Sequence, residues 1–295
     1  MAKAGKSMLR AGGSRTEPRL RQVPAVSRAL AILRLLGRSE RPLGVVQIAR
    51  ELSLIPSTCL HILRILTAEE LVAFDPDTKQ YSLDVGVLTI ARSALRLNTF
   101  SDLALPALRE LTDSLSITAC AIQVMNVEHV IVVAVTAATS SIRIHVDLGS
   151  RFPALSSAHG RCLAAFGGLR WGDIETRFKK LRWESRPGFE QWRSDVERAH
   201  RLGYSLDVGN FVSGLTAVAA PVLGKTGRMT HGLALIGMNE QLEQFGLDKL
   251  GALLARHAQE LSRRMTRVDM HQTEPNVVRK SARGRQTALP PPPEG

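Results

Sequence analysis

Residues 45–66 read VVQIARELSLIPSTCLHILRIL, and this stretch decides the fold of the first part of the chain. Val45, Ile48, Ala49 and Leu52 recur at i, i+3, i+4 and i+7, the spacing of a short helix with one buried face, which ends near Ser53. A short connection leads to Pro56, whose fixed φ and missing N–H suit the first turn of a helix, with Ser57 and Thr58 beside it. Cys59, Ile62, Leu63 and Leu66 then form one apolar stripe. Two short helices joined by a tight turn make either a helix-turn-helix or a small structural bundle. The opposite face of the second helix weighs toward the former. Ser57, Thr58, His61 and Arg64 line up near its N-terminus as donors and acceptors that suit base edges and phosphates.

Working outward, Val26, Leu30, Ile32, Leu33 and Leu36 recur at helical spacing before Gly37 and predict a preceding helix. On the other side come Leu71 to Phe74, a turn at Asp75-Pro76-Asp77-Thr78, and Gln80 to Leu83, which read as a β-hairpin. Three helices followed by such a wing predict binding to double-stranded DNA, with Lys79 of the wing against the sugar-phosphate backbone.

The chain has 295 residues, and at roughly 150 residues per domain two folded units are expected. With 44% hydrophobic and 22% charged residues it is neither disordered as a whole nor a disulfide scaffold. The net charge of +12 invites an anionic partner, but its distribution is uneven. Residues 1–22 carry six basic and one acidic side chain and residues 263–295 carry seven and three, whereas 23–85 carry seven of each. Disordered tails are expected over 1–22, which is basic, and over 265–295, which runs into Pro290-Pro291-Pro292-Pro293. No apolar run approaches the roughly 18 residues of a membrane span, and Met1 to Gln22 carries charges where a secretory signal needs an apolar core, so a cytoplasmic protein without membrane contact is expected. Cys59, Cys120 and Cys162 are too widely spaced for a CxxC or metal pattern and read as buried thiols.

The second part reads as helices around a sheet. Leu103, Leu108, Leu111 and Leu115 mark a helix; Thr118 to Val124 and Glu128 to Thr136 form a hairpin; Ile142 to Asp147 predicts a further strand. Ala158 to Phe166 and Phe189 to Leu202 predict helices, the latter closed by Gly203. Tyr204 to Asn210, Leu215 to Val222 and Thr230 to Gly237 predict strands, the last two joined through Gly224-Lys225-Thr226-Gly227. An α+β domain results. Gly224-Lys225-Thr226 imitates the end of a phosphate loop, but Ala219 stands where that motif needs glycine. No HExxH or GxSxG occurs, the histidines lack ligand spacing, and Asp207 with His159 has no nucleophile at recognisable spacing; no enzyme, cofactor or metal is expected.

Val26-Ser27-Arg28-Ala29-Leu30-Ala31-Ile32-Leu33, Ile48-Ala49-Arg50-Glu51-Leu52, Pro56-Ser57-Thr58 and Tyr81-Ser82-Leu83-Asp84-Val85-Gly86, in this order and spacing, resemble the winged helix-turn-helix of IclR-type transcriptional regulators. Gly149-Ser150-Arg151-Phe152-Pro153, Ser157-Ala158-His159-Gly160-Arg161, Gly203-Tyr204-Ser205-Leu206-Asp207 and Ala219-Ala220-Pro221-Val222 extend the likeness over the effector domain to about Leu261. The resemblance implies a winged helix-turn-helix over 23–85, a linker helix over 86–99 that makes dimer contacts, and a GAF-like effector-binding domain over 100–264. It also implies a homodimer or dimer of dimers on a two-fold operator. The DNA-facing set would be Arg28, Ser57, Thr58, Leu60, His61, Arg64 and Lys79. Leu60 stands at a usually polar position and either touches a thymine methyl or packs on the wing.

By the same resemblance a small organic acid would lie among Phe152, Ala158, His159, Asp207, Ala217, Ala234 and Ile236, with its carboxylate at a helix N-terminus. Relatives that take very small acids carry cysteine or serines where this chain has Ala217, Ala234 and Ile236, and a Glu-Glu pair where it has Gly209-Asn210. The more apolar wall favours an aromatic or longer-chain carboxylate. Alternatives stay open: the three strand residues are ordinary sheet core, His159 either meets the carboxylate or caps a helix turn, and Arg143 or Arg151 is the carboxylate partner. A different class of reading is a nucleic-acid-binding protein of low sequence specificity whose C-terminal domain only dimerises.

Overall fold

The computed structural model describes residues 23–97, 99–137 and 144–272, with backbone alone at 93–97 and 268–272. The expected tail over 1–22, the part of the expected 265–295 tail from residue 273 on, and Arg143 lie outside the described residues. The chain divides into two compact units, one ending at Leu97 and the other beginning at Asn98.

The first unit comprises α1 (Pro24–Leu36), β1 (Leu43–Gly44), α2 (Val45–Glu51), α3 (Pro56–Ala68), β2 (Val72–Asp75), β3 (Gln80–Leu83) and α4 (Gly86–Leu97). Pro24 and Pro56 open α1 and α3, where a missing N–H leaves nothing unsatisfied. Ile32 and Leu36 of α1, Ile48 and Ala49 of α2, Cys59, Leu63 and Leu66 of α3, and Val72 and Tyr81 of the wing form the core. The wing turn is closed by Asp75, which accepts the N–H of Asp77 at 2.8 Å and the hydroxyl of Thr78 at 2.8 Å. Val26 and Leu30, expected on the buried face of α1, are exposed, because Ile32 and Leu36 take the face that enters the core. β1 pairs with β3 through Leu43 opposite Tyr81 and adds a third strand to the wing; two residues are too few to show strand periodicity. Glycine is needed at Gly86, where a Cβ would come within 2.1 Å of the Glu70 carbonyl oxygen.

The second unit runs α5 (Thr99–Leu115), β4 (Thr118–Val124), β5 (His129–Thr136), β6 (Arg151–Pro153), α6 (Ser157–Phe166), α7 (Trp171–Lys180), α8 (Phe189–Leu202), β7 (Ser205–Val208), β8 (Leu215–Leu223), β9 (Met229–Met238), α9 (Asn239–Glu243) and α10 (Leu247–Gln272). Its antiparallel sheet has the order β6-β5-β4-β9-β8-β7. Alternation along the strands divides two cores. Ala119, Ala121, Val218, Ala220, Leu233 and Leu235 pack with Leu108 of α5 and Leu254 of α10. Cys120, Ile122, Ala219 and Ala234 belong to the other core, with Cys162 of α6, Phe178 of α7 and Trp192 of α8.

Two expectations are corrected, and one helix was not expected. Residues 144–147 form no strand, because the free edge of β5 is filled by β6, with Val130 opposite Phe152. α7, between the two predicted helices, carries only Ile174 and Phe178 fully inward and so shows a weak apolar period. α10 continues to Gln272, past residue 264 where the folded domain was expected to end.

Candidate functional site

On the first unit, Ser57, His61 and Arg64 are exposed and stand at i, i+4 and i+7, on one face of α3. Thr58 is half-buried. Leu60 is half-buried and packs against the hydrophobic core of the unit. Ile65, 63% exposed, lies beside Arg64 on the open face. Arg28 on α1 is exposed, and Lys79 sits in the wing turn with φ of 57°, a left-handed conformation that the Asp75 bonds hold in place.

The second unit contains a cavity of about 160 Å³. One end is built by the passage from β6 into α6. The N-cap Ser156 gives α6 no side-chain cap; its hydroxyl donates instead to the Pro153 carbonyl at 2.9 Å. The first intrahelical bond runs from the Gly160 N–H to the Ser156 carbonyl, so the N–H groups of residues 157–159 precede it, at the electropositive end of the helix. Gly160 permits this entry: a Cβ there would lie 2.1 Å from the backbone of Leu155.

Six of the seven residues implied for the effector border the cavity: Phe152, His159, Asp207, Ala217, Ala234 and Ile236. Ala158 does not; it is fully buried in the core, and its carbonyl accepts the Ser205 hydroxyl. Its neighbour Ser157 lines the cavity instead. The remaining wall comes from Cys120, Ile122 and Val132 on β4 and β5, from Ile144 to Val146, from Phe211 and Val212 between β7 and β8, and from Leu215 at the start of β8. The strand residues could have been found by taking alternate positions of β4 once its pairing with β9 was known. The residues from the two irregular segments carry no periodic signal.

His159 donates from Nε2 to the Pro153 carbonyl at 3.0 Å, because a carbonyl oxygen can only accept. Burial holds this imidazole below its ordinary value, so at neutral pH it is uncharged with Nδ1 as its acceptor. Asp207 faces the cavity, but both its oxygens are engaged. Oδ1 accepts from Arg161 Nη1 at 2.9 Å and Oδ2 from the Phe211 N–H at 3.1 Å. Arg161 is almost wholly buried behind it and also meets the Ser157 carbonyl, Asp195 and Asn210. Sequence reasoning passed over Arg161 within the quoted helix motif; its signal is a lone cation in an otherwise apolar helix. Burial pushes the Cys120 thiol up to about 12, so it lines the wall as a neutral side chain.

Among the described residues the lining contains no lysine or arginine. The N-terminus of α6 offers free N–H groups able to meet an anion, and the aliphatic and aromatic wall suits an apolar body. Cavities of about 150 Å³ lined by apolar side chains hold a benzene ring, so the volume matches one aromatic ring. Among the described residues no three His, Cys, Asp or Glu side chains gather as a metal site, and no helix is long and apolar enough to cross a membrane.

The family model described as the bacterial transcriptional regulator IclR C-terminal matches residues 93–263, and that of the IclR helix-turn-helix domain matches residues 25–76. The glycerol operon regulatory protein of Streptomyces griseus is 30% identical over 227 residues, which cover 75% of this chain and 87% of that protein. The crystal structure of an IclR transcriptional regulator from Alicyclobacillus acidocaldarius is 26% identical, covers 83% of this chain and 99% of its own, and superposes with a TM-score of 0.72. An IclR homolog from Microbacterium hydrocarbonoxydans, crystallised in complex with 4-hydroxybenzoate, shares the fold at 17% identity and a TM-score of 0.67, over 82% of this chain and 98% of its own.

Proposed function

Because the chain belongs to the IclR family, and is therefore a transcriptional regulator with a helix-turn-helix DNA-binding domain rather than an enzyme, we propose that its effector is a single-ring aromatic carboxylate held in the α6 cavity. The observation that carries this reading is the cavity itself: room for one ring, an apolar wall, and an uncapped helix start bordered by Ser157 and His159. The ring lies between Phe152 on one side and Ala217, Ala234 and Ile236 on the other. The carboxylate meets the α6 N-terminus, and His159 accepts a hydrogen bond from a ring substituent through Nδ1. The 4-hydroxybenzoate complex of the Microbacterium homolog is in keeping with such a ligand on this fold.

In the same reading Ser57, Thr58, His61 and Arg64 approach base edges, Arg28 and Lys79 approach phosphates, and Leu60 supports α3 from within. Val85, Leu88 and Ile90, exposed at and along the start of α4, supply the contact between two copies on a two-fold operator. The acid controls DNA binding to the extent that it binds two arrangements of the dimer with different affinity.

The test is a thermal-shift series on the full-length protein with acids graded from glyoxylate to benzoate and 4-hydroxybenzoate, followed by operator binding with and without the acid that responds. A selective rise in Tm with the aromatic acids is expected. A rise with none would leave the second unit a dimerisation domain, and a rise with glyoxylate alone would overturn the size argument.

A further inference from the structure

A second cleft, of about 460 Å³, opens on the same unit between the turn joining β4 to β5, the end of β6 and the C-terminal end of α7. Its floor is apolar, with Pro153, Ala154, Leu181 and Phe211, and its rim carries Arg177, Lys180 and Arg182 against the single carboxylate of Glu128. Arg177 is committed to Glu128 at 2.9 Å. Lys180 and Arg182 are exposed and make no ion pair among the described residues.

Cations at the end of a helix ordinarily answer its unsatisfied carbonyls. Here Arg186 has that role, donating to the carbonyls of Lys179 at 2.9 Å and Leu181 at 2.8 Å. Lys179 itself is held by Glu175 at 2.7 Å. Lys180 and Arg182 are therefore left, among the described residues, as two positive charges without an ion-pair partner beside an apolar floor.

We propose that this cleft is a second small-molecule site, for a phosphate monoester with a compact apolar body, distinct from the α6 cavity. The apolar body would rest on Pro153, Leu181 and Phe211, and the doubly charged phosphate would be gripped by Lys180 and Arg182, the latter able to bind two oxygens at once. Phe211 borders both cavities, and the Pro153 carbonyl holds His159 of the first, so the two sites share a wall.

Isothermal titration of the full-length protein with phenyl phosphate tests this. Saturable binding with one site per chain is expected, weakened at least about ten-fold in K180A/R182A, since each charge-assisted bond is worth roughly that factor. Inorganic phosphate should bind at least about ten-fold more weakly, lacking the body that the floor receives. Both substituted side chains are exposed, so the variant keeps its fold. Binding that is absent, unchanged in K180A/R182A, or equally tight for inorganic phosphate would overturn the proposal. So would binding that is lost in A234F, which fills the first cavity, and kept in K180A/R182A.

Discussion

The guanidinium of Arg161 on α6 meets the carboxylate of Asp207 on β7 at 2.9 Å, with the two side chains 1% and 3% exposed. Asp207 in turn accepts the Phe211 N–H, and Arg161 reaches Asn210, so one buried cation ties the wall segment after β7 to the helix that starts the cavity. The same segment is pinned from outside by the Ser185 N–H to the Asn210 carbonyl at 3.0 Å and by the Ser213 N–H to Glu184 at 2.6 Å. Phe211 thereby has a fixed position against both clefts.

Removing one member of this pair leaves the other charge buried. R161M is expected to cost about 3–5 kcal/mol, read as a lower denaturant midpoint. In R161M/D207N the loss should fall well short of the sum of the single losses, because the orphaned carboxylate is gone. Additive losses would show that the pair does not act as a unit.

Filling the cavity should separate the two activities. A234F places a ring among Cys120, Phe152 and Ile236, at an overpacking cost of about 1–3 kcal/mol. The Tm rise with an aromatic acid should disappear while operator affinity in the absence of acid stays within about two-fold, since Ala234 and the α3 face belong to different units. Operator binding lost together with the acid response would contradict this.

His159 makes stability depend on acid pH. Its folded value lies below the ordinary 6.5, so between the two values the unfolded chain binds a proton that the folded chain does not. Stability is therefore complete above about pH 6.5 and falls as pH drops through that window. H159Q keeps a donor for the Pro153 carbonyl without a titrating group, and the slope of Tm against pH below 6.5 should be shallower than in the parent. An identical slope would assign the acid sensitivity elsewhere.

On the DNA side, two substitutions should behave differently. R64A should cost about ten- to a hundred-fold at the preferred operator and relax the preference at one position, as loss of a base contact does. K79A should weaken binding evenly across sequences and lower the salt slope by about one, as loss of a phosphate contact does. Deleting residues 1–22 should flatten the salt dependence further while keeping the site preference; loss of the preference would favour binding of low specificity through the tail.

Much of the fold was legible because its elements have clean periods and stops. Pro56 and the stripe at Cys59, Leu63 and Leu66 marked α3, and Gly203, with φ of 77°, closed α8 where a left-handed residue was expected. The cavity was legible in part. Phe152, His159, Asp207, Ala217, Ala234 and Ile236 were reached through motif resemblance, whereas Ala158, one residue from the wall, is buried in the core. β6 escaped notice because three residues carry no usable alternation, and a strand was expected in the segment before it.

The sequence by itself determined that the chain folds as a winged helix-turn-helix followed by an α+β domain, since amphipathic period, caps and turn residues are local properties. It also determined which unit faces DNA, through the polar residues of α3. Only the tertiary structure decided what the charged residues near the cavity do. By resemblance Asp207 and His159 were expected to line an acid's pocket, with His159 alternatively a helix cap; their hydrogen-bond partners, Arg161 for the first and the Pro153 carbonyl for the second, were visible only in the structure. The physical reason is that a charge or a hydrogen-bonding group takes its role from whatever stands within about 3 Å of it, and those partners come from residues 46 positions away for Asp207 and from across a chain reversal for His159.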